Sequence, residues 1–401
     1  MDFPITLPGQ PLTIHSVEMH TTGEPTRIIY KGFPDLQGTL LSQRALAKAK
    51  HDHIRRQIIL EPRGHWDMYG AILRPNTELV DSGEAHIGVL FMHNEGFSTM
   101  CGHATIALGR FLVDKHDLSI FPKRNELEYD EVTQTTSINL HAPCGIVRIT
   151  VPTKENGYIS DTSRQISFAS VPSFATGIQV SVPIPETLGW TQLGARTSLV
   201  VDISYGGTFY CIVPSAELGF PSSIKNLDIS AINVATRSLK AAINASPEMQ
   251  RYLRHPESEE LGFLYSVMVV EEGSGAVAEG TVGVESGLCF FADQQVDRSP
   301  TGGAVAARVA LAYAKGKRKM GERWTYHSFV SNGFAGRGGF VGSVVEELNL
   351  VQGGGKVEGG NQACVRVKVE GMAFYTGASC FVVEEGDLIG REGFSLKGLM
   401  G

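Results

Sequence analysis

The residues with the clearest potential for chemistry are a cysteine and a threonine that each precede an apolar helix. Cys101 is followed by glycine and by the mostly apolar stretch 103–113. Thr301 is followed by Gly302, Gly303 and a second apolar stretch, and the two positions lie about one quarter and three quarters of the way along the chain. This arrangement predicts two similar halves, each presenting one polar side chain at a helix start.

Helix starts suit acid–base chemistry because their first backbone N–H groups have no partner inside the helix. They carry about half a positive charge and bind anions such as carboxylates. The same field favours a thiolate over a thiol, so a cysteine at this position is a better base than a free one. Cys101 is therefore a candidate general base that lies beside a carboxylate site.

Each candidate also has a simpler interpretation. Cys101 fits a small buried core residue, and Thr301 fits a helix N-cap. Asp297 and Arg298 could form a surface ion pair. His103 lies close to Cys101, but this spacing offers too few donors for a metal ion, so we expect no metal site. The functional interpretation gains weight because the two helix starts occupy matching places.

The composition argues against several functional classes. Of the 401 residues, 42% are hydrophobic and 19% are charged, and the formal net charge is −7. No basic surface favours nucleic acid, and no apolar stretch approaches the length of a membrane span. The six cysteines are scattered, which is typical of reduced thiols and gives no disulfide or zinc framework. The first residues lack the features of a secretion signal, so we expect a cytoplasmic protein.

Around the two apolar helices, the hydrophobic pattern predicts strand-rich halves. A helix that is apolar nearly all round must be enclosed, which favours a curved antiparallel sheet wrapped around it. The remaining pattern predicts helices at 40–59 and 224–245, loops at 20–25 and 117–136, a hairpin tip at 352–360, and strands within 10–30, 70–73, 86–92, 137–153, 198–213, 263–270, 281–284, 326–330, 340–345, 364–369 and 378–383.

Six blocks of sequence, in order, resemble the proline racemase superfamily along nearly the whole chain. They are HTTGEP at 20–25, EPRGH at 61–65, FMHNEG at 91–96, MCGH at 100–103, DISYGG at 202–207 and DRSPTG at 297–302. The resemblance implies an α/β (α+β) fold with two pseudo-symmetric halves of the diaminopimelate-epimerase type. Each half would be a curved, mostly antiparallel sheet around a central helix, and the substrate would lie between the two helices. We expect a first half over 1–190, to which about 381–401 returns, and a second half over 191–380.

The sequence departs from the racemases and epimerases of this family at one decisive position. In those enzymes both helix starts carry a cysteine, and the two thiols remove and return the α-proton on opposite faces. Here Thr301 replaces the second cysteine, and its hydroxyl is a far poorer acid or base at neutral pH. The resemblance associates this exchange with the trans-3-hydroxy-L-proline dehydratases of the family. Two further departures are Thr22, where glycine is usual, and Thr208, where asparagine is frequent.

The sequence therefore predicts a lyase that converts trans-3-hydroxy-L-proline to Δ1-pyrroline-2-carboxylate without a cofactor, with Cys101 and Thr301 as its catalytic residues. An imino acid is the expected small-molecule partner, in a homodimer that binds neither nucleic acid nor membrane. Two alternatives stay open: a proline racemase or 4-hydroxyproline 2-epimerase that works with one thiol, and a non-catalytic imino-acid-binding paralogue. The expected substrate-binding residues are Gly102, His103, Gly302 and Gly303, through their N–H groups, and Asp297, which by resemblance holds the ring ammonium.

Overall fold

The computed structural model describes residues 12–221, 223–226, 228–348 and 363–400. Strands dominate, as the alternating hydrophobic pattern predicts. The strands are β1 (Leu12–Thr21), β2 (Glu24–Lys31), β3 (Gly70–Arg74), β4 (Ile87–Met92), β5 (Phe97–Ser98), β6 (Glu128–Asp130), β7 (Thr135–Ala142), β8 (Gly145–Lys154), β9 (Ile159–Ser160), β10 (Ile166–Ala169), β11 (Ser173–Pro183), β12 (Ser198–Tyr205), β13 (Phe209–Pro214), β14 (Leu264–Glu272), β15 (Val284–Phe291), β16 (Gln295–Val296), β17 (Trp324–His327), β18 (Phe340–Leu348), β19 (Cys364–Gly371) and β20 (Phe374–Val383). The helices are α1 (Leu40–Lys50), α2 (Asp52–Ile59), α3 (Glu78–Asp81), α4 (Gly102–Asp114), α5 (Ile229–Ala245), α6 (Pro247–Gln250), α7 (Gly302–Ala314), α8 (Phe329–Gly333), α9 (Leu388–Glu392) and α10 (Leu396–Met400).

The chain divides into two compact units. The first comprises Met1–Thr99, His103–Ile166 and Met372–Gly401, and the second comprises Met100–Gly102 and Ser167–Gly371. The short segment that carries Cys101 is thus grouped with the second unit. The chain crosses into the main part of the second unit after residue 166 and returns to the first at residue 372. Our expectation from the sequence places these two points at 190 and about 381.

The sheet of the first unit is built on the hairpin of β1 and β2. Strand β1 also pairs antiparallel with β20, so a late strand lies beside the first strand. Strand β2 pairs parallel with β3, and β3 pairs antiparallel with β4. Helix α4 packs closely on β8, because a Cβ at Gly109 would lie 2.7 Å from Ile149 Cγ2. The helix is buried along nearly its whole length.

In the second unit, strands enclose α7. The pairing order β11, β12, β13, β14, β15, β17, β18, β19 returns to β11, and most of these pairs are antiparallel. Helix α7 contacts β11, β12, β18 and β19, and its first ten residues are all buried. A helix that is apolar on every face needs such an enclosure to keep its side chains from water. The predicted fold class is confirmed.

Three element boundaries in the prediction are wrong for local reasons. The helix predicted over 40–59 is two helices, because the backbone leaves helical geometry at His51, where φ is −124° and ψ is 15°. The helix predicted from 224 begins at Ile229, because the Asp228 side chain accepts hydrogen bonds from the first-turn N–H groups. The turn or loop predicted over 20–25 is a turn, but it spans only residues 22 and 23, since Pro25 already lies in β2 opposite His20.

Other differences lie further along the chain. The excursion predicted over 117–136 contains a 3₁₀ turn at Arg124–Glu126 and the short strand β6. The strand predicted over 281–284 starts only at Val284 and continues through β15. The strand predicted over 326–330 stops at His327, because Ser328 forms a capping box with Ser331 and starts α8. The hairpin tip predicted over 352–360 lies outside the described residues.

In the part of the chain that the structure describes, no helix is both long enough and apolar enough to cross a membrane.

Candidate active site

Cys101 lies directly before the first residue of α4 and is 7% exposed. The first turn of this helix is tied to the sheet of the first unit. Thr21 Oγ1 of β1 donates to the His103 carbonyl at 3.0 Å, and the His103 ring packs edge-on against Tyr69 with ring centroids 4.7 Å apart. The helix start is therefore held by both a hydrogen bond and an aromatic contact.

Two glycines bring the candidate catalytic residues to one place in the second unit. A Cβ added to Gly102 would lie 2.4 Å from the Gly302 Cα, and a Cβ added to Gly302 would lie 2.9 Å from the Gly102 Cα. A side chain at either position would clash with the backbone of the other, so the two segments can approach this closely only because both residues are glycine. Cys101 and Thr301 each precede one of these glycines, so the backbone segments that carry the thiol and the hydroxyl lie side by side.

Thr301 has an unusual backbone and an unusual hydrogen bond. Its φ of 62° and ψ of 86° are left-handed, which costs a β-branched residue on the order of 1–3 kcal/mol. It occupies the N-cap position of α7, but its side chain makes no capping hydrogen bond. Instead, Thr301 Oγ1 donates to Asp297 Oδ2 at 2.8 Å. Thr301 therefore occupies the N-cap position, but its hydroxyl binds Asp297 and does not cap the helix.

The backbone strain at Thr301 can be measured separately from the loss of its hydroxyl. We expect Thr301→Gly to be more stable than Thr301→Ala, with a free energy of unfolding about 1 kcal/mol larger, because glycine adopts positive φ freely. Both variants lose the same hydrogen bond to Asp297, so each serves as the other's control. Urea unfolding of the two proteins gives the difference. Equal unfolding free energies would mean that residue 301 is not left-handed in solution.

Asp297 is a buried carboxylate. It is 3% exposed, and its Oδ1 accepts a hydrogen bond from the Ser299 N–H at 2.7 Å. Ser299 Oγ accepts in turn from the Thr301 N–H at 3.1 Å. Burying a carboxylate is costly unless donors satisfy it, and these bonds supply donors while they shape the turn. The turn that ends at Thr301 is therefore built around the carboxylate.

Arg308 of α7 anchors the same turn from behind. Its guanidinium is buried, and Nη2 donates to the Pro300 carbonyl at 2.9 Å. Nη1 makes an ion pair with Glu285 Oε1 at 3.0 Å, which compensates for burying the charge. The carbonyl that immediately precedes the left-handed residue is thus fixed by a buried charged group.

Tyr210 of β13 reaches the first turn of α7. It is 1% exposed, and its phenol oxygen lies 2.6 Å from the position that a Gly303 Cβ would occupy. Burial raises the pKa of the phenol well above its usual value, and the neighbouring acidic groups of Cys289, Cys101 and Asp297 raise it further. The phenol therefore lies near the candidate base and the buried carboxylate, and it keeps its proton.

Cys289 of β15 is a second thiol at this site, but it is not a base. Burial, followed by the negative charge of Asp297, raises its pKa to about 12. Its Sγ lies 2.8 Å from Ser266 Oγ, and the Thr301 hydroxyl is close enough to lower the pKa of Cys289 against these two effects. Cys289 thus packs as a neutral group behind the Thr301 hydroxyl.

The structure explains why glycine is usual at the position that Thr22 occupies in this chain. Thr22 and Gly23 form the turn between β1 and β2, with φ of 53° and 83°. A two-residue turn with positive φ at both positions favours glycine at each of them. Thr22 is therefore in a strained position where glycine is the ordinary residue.

The predicted site residues divide between the two units. His103 is buried in the first unit. The others lie in the second unit, namely Cys101, Gly102, Asp297, Thr301, Gly302 and Gly303. Within the described part of the chain, no group of three or more metal-binding side chains is close enough to hold an ion.

Four further residues shape the site although the sequence did not predict a role for them: Ser299, Tyr210, Arg308 and Cys289. Ser299 lies inside the DRSPTG block and Tyr210 lies three residues beyond DISYGG, so their positions could have drawn attention. The other two residues, on α7 and β15, have no comparable local signal.

An enclosed central helix, with a cysteine and a threonine placed at adjoining glycines, defines a protein of the diaminopimelate-epimerase fold class. Comparison with known families makes the assignment specific. The chain belongs to the proline racemase family, whose model matches residues 16–395.

Curated relatives match this chain over nearly its full length. The trans-L-3-hydroxyproline dehydratase of Xenopus tropicalis is 40% identical over 385 residues, which cover 95% of this chain and 94% of that protein. The trans-3-hydroxy-L-proline dehydratase of Homo sapiens is 37% identical over 393 residues, covering 97% and 96%. These values place the chain securely within the family.

Solved structures show the same fold. A probable proline racemase from Agrobacterium radiobacter K84 aligns with a TM-score of 0.74 at 21% identity, covering 96% of this chain and 97% of that one. A hydroxyproline epimerase from Agrobacterium vitis aligns with a TM-score of 0.71 at 20% identity, covering 96% of each chain. At such low identity the likeness concerns the fold alone.

Proposed function

We propose that this protein dehydrates trans-3-hydroxy-L-proline to Δ1-pyrroline-2-carboxylate. The observation that carries the proposal is the hydrogen bond from Thr301 Oγ1 to the buried Asp297 carboxylate. The group opposite the thiol is an alcohol whose hydrogen is already engaged, so a second proton transfer from that side is disfavoured. The relatives with 37–40% identity that are named as dehydratases of this substrate support the same conclusion.

The reaction begins with Cys101 as the base. Its thiolate takes the α-proton, and the electron pair of the Cα–H bond forms a double bond between C2 and C3 of the ring. The C3–O bond breaks, and the oxygen leaves with a proton as water. The enamine formed in this way tautomerises to Δ1-pyrroline-2-carboxylate. Substrate therefore equals product plus one water, and no oxidant or reductant takes part.

The carbanion next to a carboxylate needs stabilisation, because the charge that develops is delocalised onto the carboxylate oxygens. Backbone N–H groups at the two helix starts are suitable donors, and each preorganised donor contributes roughly 3 kcal/mol in comparable sites. On one side these are Gly102 and His103, and on the other Gly302 and Gly303. The Asp297 carboxylate holds the ring ammonium in this proposal.

The stereochemistry of the substrate assigns different roles to the two side chains. In trans-3-hydroxy-L-proline the α-proton and the 3-hydroxyl lie on the same face of the ring. The base and the leaving group are therefore both on the Cys101 side, and the elimination is syn. The thiol formed by proton abstraction can then protonate the departing oxygen. Thr301, on the opposite face, positions the ring or a water molecule.

The proposed assembly is a homodimer in the cytoplasm, and the proposed reaction needs no cofactor. The helix-start N–H groups supply the field that a metal or an organic electron sink would otherwise provide.

The proposed activity can be tested directly with the purified protein. We expect trans-3-hydroxy-L-proline to give a product that forms the yellow adduct of pyrroline carboxylates with o-aminobenzaldehyde. L-Proline and trans-4-hydroxy-L-proline in deuterated water are the control substrates, with optical rotation followed over time. Inversion at C2 of either control substrate without pyrroline formation would favour the single-thiol racemase or epimerase. If an imino acid protects Cys101 from iodoacetate but none of the tested imino acids is converted, the binding paralogue is favoured.

A further inference from the structure

The Tyr210 phenol ends where Gly303 lacks a side chain. Its oxygen lies 2.6 Å from the position of a Gly303 Cβ, so even alanine at residue 303 would displace it. Gly303 belongs to the first turn of α7, where backbone N–H groups have no partner inside the helix. The phenol oxygen of a buried side chain thus lies beside the first turn of α7, to which the proposed function assigns donors for the substrate carboxylate.

The Tyr210 phenol is suited to donate a hydrogen bond and not to act as a base, because it stays protonated. Its surroundings keep it protonated, as the raised pKa shows. The Thr208 hydroxyl makes no well-aligned hydrogen bond among the described residues, but it lies close enough to lower the pKa of Tyr210. If the Thr208 hydroxyl donates to the phenol oxygen, the phenol hydrogen is left available to donate to another group. Two hydrogen bonds in such a chain strengthen each other.

The charges around the phenol explain why such a donor is needed. The Asp297 carboxylate is buried nearby, and the Cys101 thiolate adds a second negative charge during catalysis. A substrate that brings its own carboxylate adds a third anion to this small region. Backbone N–H groups offset part of that repulsion, and a neutral phenol adds a donor without adding charge.

We infer that the Tyr210 phenol donates a hydrogen bond to the substrate carboxylate, beside the N–H groups that begin α7. This inference rests on the proposed function, because it takes the imino acid as the ligand of the site. The phenol borders Gly303, whereas the 3-hydroxyl lies on the ring face that Cys101 addresses. The carboxylate is therefore the group within its reach, and Tyr210 is a substrate-binding residue that also stabilises the charge developing on the carboxylate oxygens.

The test compares Tyr210→Phe with Tyr205→Phe. Both tyrosines are buried and lie in the second unit, but the Tyr205 ring packs against Phe174, Phe209 and His255. The first readout is the Kd of pyrrole-2-carboxylate, measured by calorimetry, because this flat anion mimics the planar carbanion and has no 3-hydroxyl. The second is kcat/KM for trans-3-hydroxy-L-proline.

We expect Tyr210→Phe to weaken pyrrole-2-carboxylate binding about 10- to 100-fold and to lower kcat/KM at least as much. Tyr205→Phe should leave both values within about twofold of the wild type, as is usual for changes outside a site. Thr208→Val, which removes the hydroxyl behind the phenol, should weaken binding several-fold in the same direction. This second variant also decides the matter if Tyr210→Phe fails to fold.

Three outcomes would overturn the inference. An unchanged Kd with a lowered kcat/KM would mean that the phenol serves the leaving hydroxyl and not the carboxylate. Unchanged values of both would mean that it only fills space. A wild-type protein that binds no pyrrole-2-carboxylate would have no carboxylate site for Tyr210 to serve. If the wild type binds this anion but releases no pyrroline product, the proposed function fails, and the Kd comparison still decides the role of Tyr210.

Discussion

Cys101→Ser is expected to abolish dehydration, with kcat lower by about 10⁴-fold, and to abolish exchange of the α-proton with solvent. A serine hydroxyl at the same place keeps the size and the hydrogen-bonding capacity of the thiol. It cannot be ionised appreciably at neutral pH, so it cannot take a proton from carbon. The prediction isolates the base, because the N–H groups that bind the carboxylate stay in place.

Thr301→Ala is the informative partner of this variant. It removes the hydrogen bond to Asp297 but leaves the thiol, so exchange at the α-carbon should remain measurable even where product formation is slow. Deuterium incorporation at C2, followed by NMR in deuterated water, measures exchange independently of elimination. The division of roles fails if both variants lose exchange to the same extent.

A matched control for Cys101→Ser is available in the same unit. Cys364 of β19 is 2% exposed, and burial raises its pKa to about 11. Cys364→Ser introduces the same chemical change in a buried thiol outside the site, and it should leave kcat within about twofold of wild type. A comparable loss in both variants would trace the effect of Cys101→Ser to folding and not to catalysis.

The sequence predicts the two central helices well because each carries its own signal. Helix α7 begins with two glycines and is mostly apolar after them, and α4 is also mostly apolar. Such a stretch must be enclosed whichever strands supply the enclosure. The candidate base and the residue facing it could be named for the same reason, since each lies at a helix start that can be recognised within a few residues.

Features that depend on partners far along the chain could not be predicted in this way. Strand β15 was missed over most of its length because Gly287 interrupts its pattern, and its place is set by pairing with β14, where Gly287 lies opposite Val270. Asp297 and Arg308 lie close to Thr301 in the sequence, but the sequence does not show that they are buried or which groups they contact, so the left-handed backbone of Thr301 could not be predicted. The phenol of Tyr210 meets Gly303 only because β13 lies against α7.

Gly102→Ala is expected to have the second large effect, because the new methyl group would meet backbone and not a movable side chain. The added Cβ would lie 2.4 Å from the Gly302 Cα, 2.8 Å from its nitrogen and 2.9 Å from its carbonyl carbon. Since none of these atoms can rotate away, the two glycines must separate. We expect the free energy of unfolding to fall by about 1–3 kcal/mol, which is typical of overpacking.

The loss of activity in Gly102→Ala should exceed what this destabilisation explains. A displacement of about 1 Å between catalytic groups can cost 10²-fold in rate, and here Cys101 and Thr301 would move apart together with the glycines that follow them. Circular dichroism and thermal unfolding show whether the variant is folded at the assay temperature, and deuterium exchange at C2 reports the thiol alone. Gly377→Ala is the control, because a Cβ in that part of β20 would meet nothing within 4 Å, so its stability and rate should be nearly unchanged. A folded Gly102→Ala protein with nearly wild-type kcat would mean that the two glycines do not touch in solution, and the single site that joins the thiol to the hydroxyl would then lose its structural basis.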